Sequence, residues 1–140
     1  MLFDREMIFS KDQAPTTGTQ YSTDVYDQGL AGVNINTNRE LQVVCSVTTD
    51  FASGTSLAVN FVQSANSDLS SPDVLIGSGV IAEASLLKGT VLLRAAVPRT
   101  TKRYLGFQFV TVGTHTAGKV FGGIVRGTDD TAIPAFNTGY

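Results

Sequence analysis

Apolar and polar positions alternate with a period of two along several stretches of the chain, and that period belongs to β-strands. Between Lys102 and Val112, Leu105, Phe107 and Phe109 fall on one face, with Tyr104, Gly106, Gln108 and Val110 on the other. Glu40 to Asp50 is a second strong strand, with Leu41, Val43, Cys45 and Val47 sharing a face. In Thr55 to Gln63 the inward set is Leu57, Val59 and Phe61. Thr90 to Val97 is a further strand, ended by Pro98, which cannot donate to a ladder. Lys119 to Arg126 also reads as a strand, although both its faces carry apolar residues. No stretch shows a helical period of comparable strength, so the chain is expected to be all-β.

The intervening residues predict how these strands connect. Gly113-Thr114-His115-Thr116-Ala117-Gly118 is a small polar loop bounded by glycines, which predicts a long hairpin closing on Lys119 to Arg126. Phe51-Ala52-Ser53-Gly54 predicts a second hairpin between the strands on either side of it. Ser64 to Asp73 is polar and too long for a tight turn, and is expected to cross between two sheets. Val74 to Ala82 gives one or two short strands. Glu83 to Gly89 gives a single helical turn that Gly89 stops, and Thr23 to Asp27 a short strand. The result is a two-sheet antiparallel β-sandwich of about eight strands. Its core is expected to hold Leu41, Val43, Cys45, Val47, Leu57, Val59, Phe61, Leu105, Phe107 and Phe109. Residues 1–20 read as an N-terminal arm and linker, 21–126 as the sandwich, and 127–140 as a C-terminal tail.

Composition narrows the function classes. At 140 residues and 42% hydrophobic, the chain is one domain with material for a sizeable core. Only 16% of residues are charged and the net charge is −2, so neither a basic nucleic-acid face nor a disordered acidic chain fits. Met1-Leu2-Phe3-Asp4-Arg5-Glu6 puts charges where a secretory signal needs an apolar run. The apolar runs are too short to span a bilayer. The expectation is a protein made and used without secretion, with no membrane and no nucleic acid among its partners.

Candidate chemistry is sparse. The chain has one histidine, His115, expected to be exposed in the hairpin loop without a catalytic or metal role. Its one cysteine, Cys45, shares a face with Leu41, Val43 and Val47 and is expected to be a buried, inert thiol. Asp24 and Asp27 lack the acidic partners of a calcium loop and read as solvated turn carboxylates. Gly122-Gly123 lies inside a strand, where paired glycines allow a bulge or a close backbone approach, not a phosphate cradle. Arg94, Arg99, Lys102 and Arg103 form either a small basic patch or strand-end charges paired with nearby carboxylates. No active site, metal site or cofactor site is expected.

The apolar residues of the two ends point instead to contact with a partner. Leu2, Phe3, Met7 and Phe9 form one turn of an amphipathic helix, an arm on a partner's surface, or a tail packed on its own sandwich. Ile133, Phe136 and Tyr140 are the late apolar anchors. Extended arms reach the area a stable interface needs at little cost in chain length. Residues 1–13 are therefore expected to lie on a second copy or another protein, and to be dispensable for folding.

The order of motifs resembles the capsid cement, or decoration, proteins of short-tailed phages of the Bordetella-phage type. The matching features begin with Met1-Leu2-Phe3-Asp4, Phe9-Ser10, and Ser22-Thr23-Asp24-Val25 followed by Asp27 and Gly29. They continue with Ser53-Gly54-Thr55, Ala82 to Lys88, Pro98-Arg99, Arg103-Tyr104-Leu105, Gly113-Thr114 and Ala117-Gly118-Lys119-Val120. The resemblance implies a jelly-roll-like sandwich on the outer surface of a capsid, clamping neighbouring copies of the major capsid protein. It implies self-association as a homodimer, with a trimer as the other option. The alternatives are a carbohydrate- or receptor-binding module of a phage tail, and a small enzyme on a β-scaffold. The first would want surface aromatics, yet there is no Trp and only four Tyr. The second is opposed by the missing acid–base set.

Overall fold

The computed structural model describes residues 3–29 and 40–126, with side chains from residue 5 onward. Two long strands organise it, β4 (Leu41–Ser64) and β8 (Tyr104–Arg126). They run antiparallel over their whole lengths, from Leu41 opposite Arg126 to Ser64 opposite Tyr104. Neither expected hairpin forms, because the two limbs of each belong to one continuous strand. A strand passes through a sharp bend when extra residues are taken up as bulges, and glycine marks such corners as readily as it marks turns. The β4–β8 register shifts between Val47 and Thr49, Thr49 and Ala52, Ala52 and Gly54, and Gly54 and Ser56. Opposite them, Gly113 and Gly118 take φ values of +81° and +128°, a region side-chain-bearing residues seldom enter.

The remaining strands line the outer edges of this pair. The N-terminal segment supplies β1 (Phe3–Gln13), β2 (Thr17–Tyr21) and β3 (Tyr26–Asp27), which pair in turn with the later, middle and earlier parts of β8. Along β4 run β5 (Asp73–Gly77), β6 (Ile81–Ala82) and β7 (Val91–Ala96). All eight belong to one antiparallel sheet. That sheet is folded over on itself. Phe107 and Gly122 lie on the same strand and would stand about 50 Å apart if it were straight. Yet a Cβ on Gly122 would sit 2.9 Å from the Phe107 ring. The two layers are thus halves of one sheet: β1, β8, β4 and β7 on one side, and β2 with β3, β8, β4, and β5 with β6 on the other. The all-β antiparallel class stands, and the separate sheets become one.

The space between the layers is the core. The alternation of β4 and β8 assigns it well: Val43, Cys45, Val47, Leu57, Val59, Phe61, Leu105, Phe107 and Phe109 are all buried, with Leu41 half-buried beside them. Phe9, Leu86, Val120 and Ile124 join the same cluster. Phe9 overturns the reading of residues 1–13 as an arm. It is fully buried, stacked 6.1 Å from Phe61 and edge-on at 5.1 Å to Phe107. Gly123 makes room for this strand, since a Cβ there would run into the Met7 carbonyl and Ile8, while a Cβ on Gly122 would meet the Val44 carbonyl and Cys45 of β4. The segment taken as a linker likewise includes β2, paired with β8 from Thr17 to Tyr21.

The 64–73 connection does not cross between layers. It is a wide hairpin loop that returns β5 onto β4, Gln63 opposite Asp73. Ser64 Oγ donates to the Ser70 carbonyl at 2.6 Å, and Leu69 inserts its side chain into the interior with φ +62°. The expected helical turn appears as a single 3₁₀ turn, Glu83–Ser85.

Candidate interaction surface

Seven residues were expected to meet a partner, and the structure describes the side chains of two, Met7 and Phe9. Met7 packs half-buried against the core, and Phe9 lies wholly within it. Phe9 has no accessible surface left for another molecule, because β1 is paired to β8 and its inward side chains fill the gap between layers. The backbone of Phe3 pairs opposite Val125. Leu2, Ile133, Phe136 and Tyr140, and the side chain of Phe3, lie outside the described residues.

What β1 presents outward is charge. Arg5, Glu6 and Lys11 are exposed, and with Ile8 they form one wall of a groove of about 730 Å³. The opposite wall is Asp24, Val25, Tyr26 and Asp27. The groove exists because the folded sheet brings β1 and β3, at opposite ends of the same edge, near one another. The Asp24 N–H donates to the Phe9 carbonyl at 2.9 Å and ties the two layers there. Asp27 is held on the second wall by a bidentate pair with Arg103, Nε to Oδ1 at 2.7 Å and Nη2 to Oδ2 at 2.9 Å. These bonds, with the Gly29 N–H, hold the Asp27 carboxyl below the ordinary carboxylate range, and the same pairing raises Arg103. Arg103 also lies 5.1 Å over the Tyr104 ring. Such a surface offers mixed charge and one aromatic edge, which suits binding. The sequence signal for it was the charge interleaved among residues 4–11, overshadowed by the apolar anchors beside it.

Two members of the basic cluster form separate pairs. Lys102 Nζ meets Asp73 at 2.9 Å and Arg103 meets Asp27, as expected of strand-end charges. Lys102 lowers the Asp73 carboxyl in the same way. Cys45 is fully buried, and burial pushes its thiol up, away from the reactive thiolate.

His115 is not an exposed loop residue. It lies in β8 at the corner where the sheet folds, its side chain 1% exposed. The residue is buried because strand pairing continues through the expected loop: its backbone N–H donates to the Thr16 carbonyl at 2.8 Å. Phe51 of β4 stands edge-on to the imidazole at 4.8 Å. Gly54 lies against Nδ1 so closely that a Cβ there would collide with the ring. Glu83 completes the cluster. Its Oε2 lies 3.2 Å from Nδ1 with hydrogen-bonding geometry, and accepts from the Gly54 N–H at 3.0 Å. Oε1 is closer to Nδ1, at 3.0 Å, but without that geometry. Nε2 is buried and has no protein partner among the described residues.

Among the described residues no group of three or more His, Cys, Asp or Glu could hold a metal ion, and no helix is long and apolar enough to cross a membrane. No curated protein matches the chain. The model of the Bbp16 family matches residues 9–124, nearly the whole folded sheet from the buried Phe9 of β1 to Ile124 of β8, and the chain therefore belongs to that family of Bordetella phage proteins.

Proposed function

We propose that the protein is a structural component of a phage virion, a cement protein that binds the outer surface of the capsid and clamps neighbouring shell subunits. The observation that carries this reading is the family match over residues 9–124. The commitments of the ionisable groups support it. Asp27, Asp73, Glu83 and His115 are engaged in contacts that hold the fold, and the thiol of Cys45 is sealed in the core. A doubled-over sheet cross-braced in this way is suited to bearing load between subunits, with no enzymatic step and no cofactor. Its partners are the major capsid protein and a second copy of itself.

On this reading the attachment surface is the groove between β1 and residues 24–27, with Arg5 and Lys11 as its exposed cations. Co-sedimentation with empty phage shells tests the proposal. Saturable binding to shells, weakened by the double reversal of Arg5 and Lys11 to Glu, is the expected result. If the protein leaves shells untouched but is retained by host-envelope glycans, the tail-module alternative replaces it.

A further inference from the structure

We propose that residues 83–90 form a strap across the corner of the sheet, locked by the Nδ1–H tautomer of His115 through Glu83. This concerns how the fold opens, and is independent of which surface meets a capsid. The strap touches β4 through backbone and side-chain bonds between Val47 and Phe51, where the register begins to shift. Phe51 N–H donates to the Leu86 carbonyl at 3.0 Å, Gly89 N–H to the Val47 carbonyl at 2.8 Å, and Val47 N–H to the Thr90 carbonyl at 2.9 Å. The Lys88 N–H donates to Asp50 Oδ1 at 2.6 Å. The strap's one fully buried side chain is Leu86, while the adjoining Leu87 is 51% exposed.

Its start has a different kind of anchor. The Glu83 carboxylate takes the Gly54 N–H from β4 and faces Nδ1 of His115 from β8, so one group ties the strap to both long strands where they bend. An ionised carboxylate only accepts, so the nitrogen facing it must carry the proton. The corner therefore holds the ring proton on Nδ1. From the other elements packed on the ring come Phe51 and Gly54 of β4, neither ionisable, and the Thr16 carbonyl, already taken by the backbone of His115. Among the described residues, Glu83 faces the Gly54 N–H and the imidazole. Without it the carboxylate keeps a single N–H, and the strap can lift as a unit, bringing Leu86 to the surface beside Leu87. Such segments open separately from the global fold when few contacts hold them.

Amide hydrogen exchange on the intact chain, with ¹⁵N spectra of the ring, tests this. In the wild type, Nδ1 should resonate as the protonated nitrogen; a proton on Nε2 with a bare Nδ1 overturns the lock. In Glu83→Gln, one acceptor oxygen must serve two donors. The amides of Phe51, Gly54, Lys88 and Gly89 should then exchange at least tenfold faster, with the amides of Phe61 and Ile8 unchanged. Uniform acceleration, or none, overturns the strap as a separate unit. In His115→Asn an amide N–H₂ stands near the place of Nδ1, and strap protection should exceed that of His115→Gln. Equal protection in the two refutes the Nδ1 donor.

Discussion

The apolar centre and the corner of this sheet are both buried, and they are buried for opposite reasons. In the centre, Phe9, Phe61, Phe107 and Phe109 meet ring against ring, and transfer of apolar surface from water drives the contact. In the corner an imidazole, a carboxylate and a glycine N–H are enclosed with Phe51, and there the fold must satisfy polar groups instead of hiding oil. The centre is vulnerable to changes of volume; the corner is vulnerable to loss of a partner. The same distinction separates Gly123, which lets β1 approach the core, from Gly54, which leaves room for the His115 ring.

Deleting residues 2–12 attacks the centre most severely. It removes β1 and Phe9 together, and we expect loss of the cooperative unfolding transition seen by circular dichroism. A deletion variant that unfolds like the wild type would return the segment to the role of a dispensable arm. Phe9→Ala alone leaves the strand but empties its site, and should cost about 3–5 kcal/mol in denaturant titration. Gly123→Ala pushes a methyl group into the Met7 carbonyl, and about 1–3 kcal/mol of overpacking is expected, measured in the same way.

The corner should respond less strongly. Glu83→Gln leaves a buried donor short of an acceptor, a loss of about 1–3 kcal/mol. If it proves as costly as Phe9→Ala, corner and centre are one cooperative unit and the contrast between them fails. The smallest effect belongs to the surface pair of Asp27 and Arg103. Their pairing holds the carboxyl of Asp27 below its ordinary value, so its contribution is present above the ordinary carboxylate pKa and fades as pH falls through the lowered one. Melting temperatures of the wild type and Arg103→Ala should therefore differ slightly at neutral pH and converge below about pH 4. A difference that persists at lower pH would show that Arg103 acts through packing on Tyr104 and not through charge.

Much of this molecule was legible in its residues, and the limits fall at identifiable places. Period-two alternation placed nine of ten core side chains in β4 and β8 fully inside, with Leu41 half-buried, because strand geometry alone sends alternate residues to opposite faces. The inertness of Cys45 followed from its neighbours in the chain, whereas Lys102 and Arg103 pair with Asp73 and Asp27, carboxylates far off in the sequence. Residues 3–13 misled because Phe9 stands between charges, and a bulged strand beside two glycines breaks the simple alternation. Gly113 to Gly118 misled because a bend in a long strand and a hairpin turn demand the same backbone freedom, and only the partner strand distinguishes them. Local sequence determined the strands, the inward faces and the places where the chain can bend. Tertiary structure alone decided that β4 pairs with β8 instead of each pairing with itself. From that pairing came the burial of His115 beside Glu83 and the groove beside β1, because both join residues far apart in the chain that only the doubling of the sheet brings into contact.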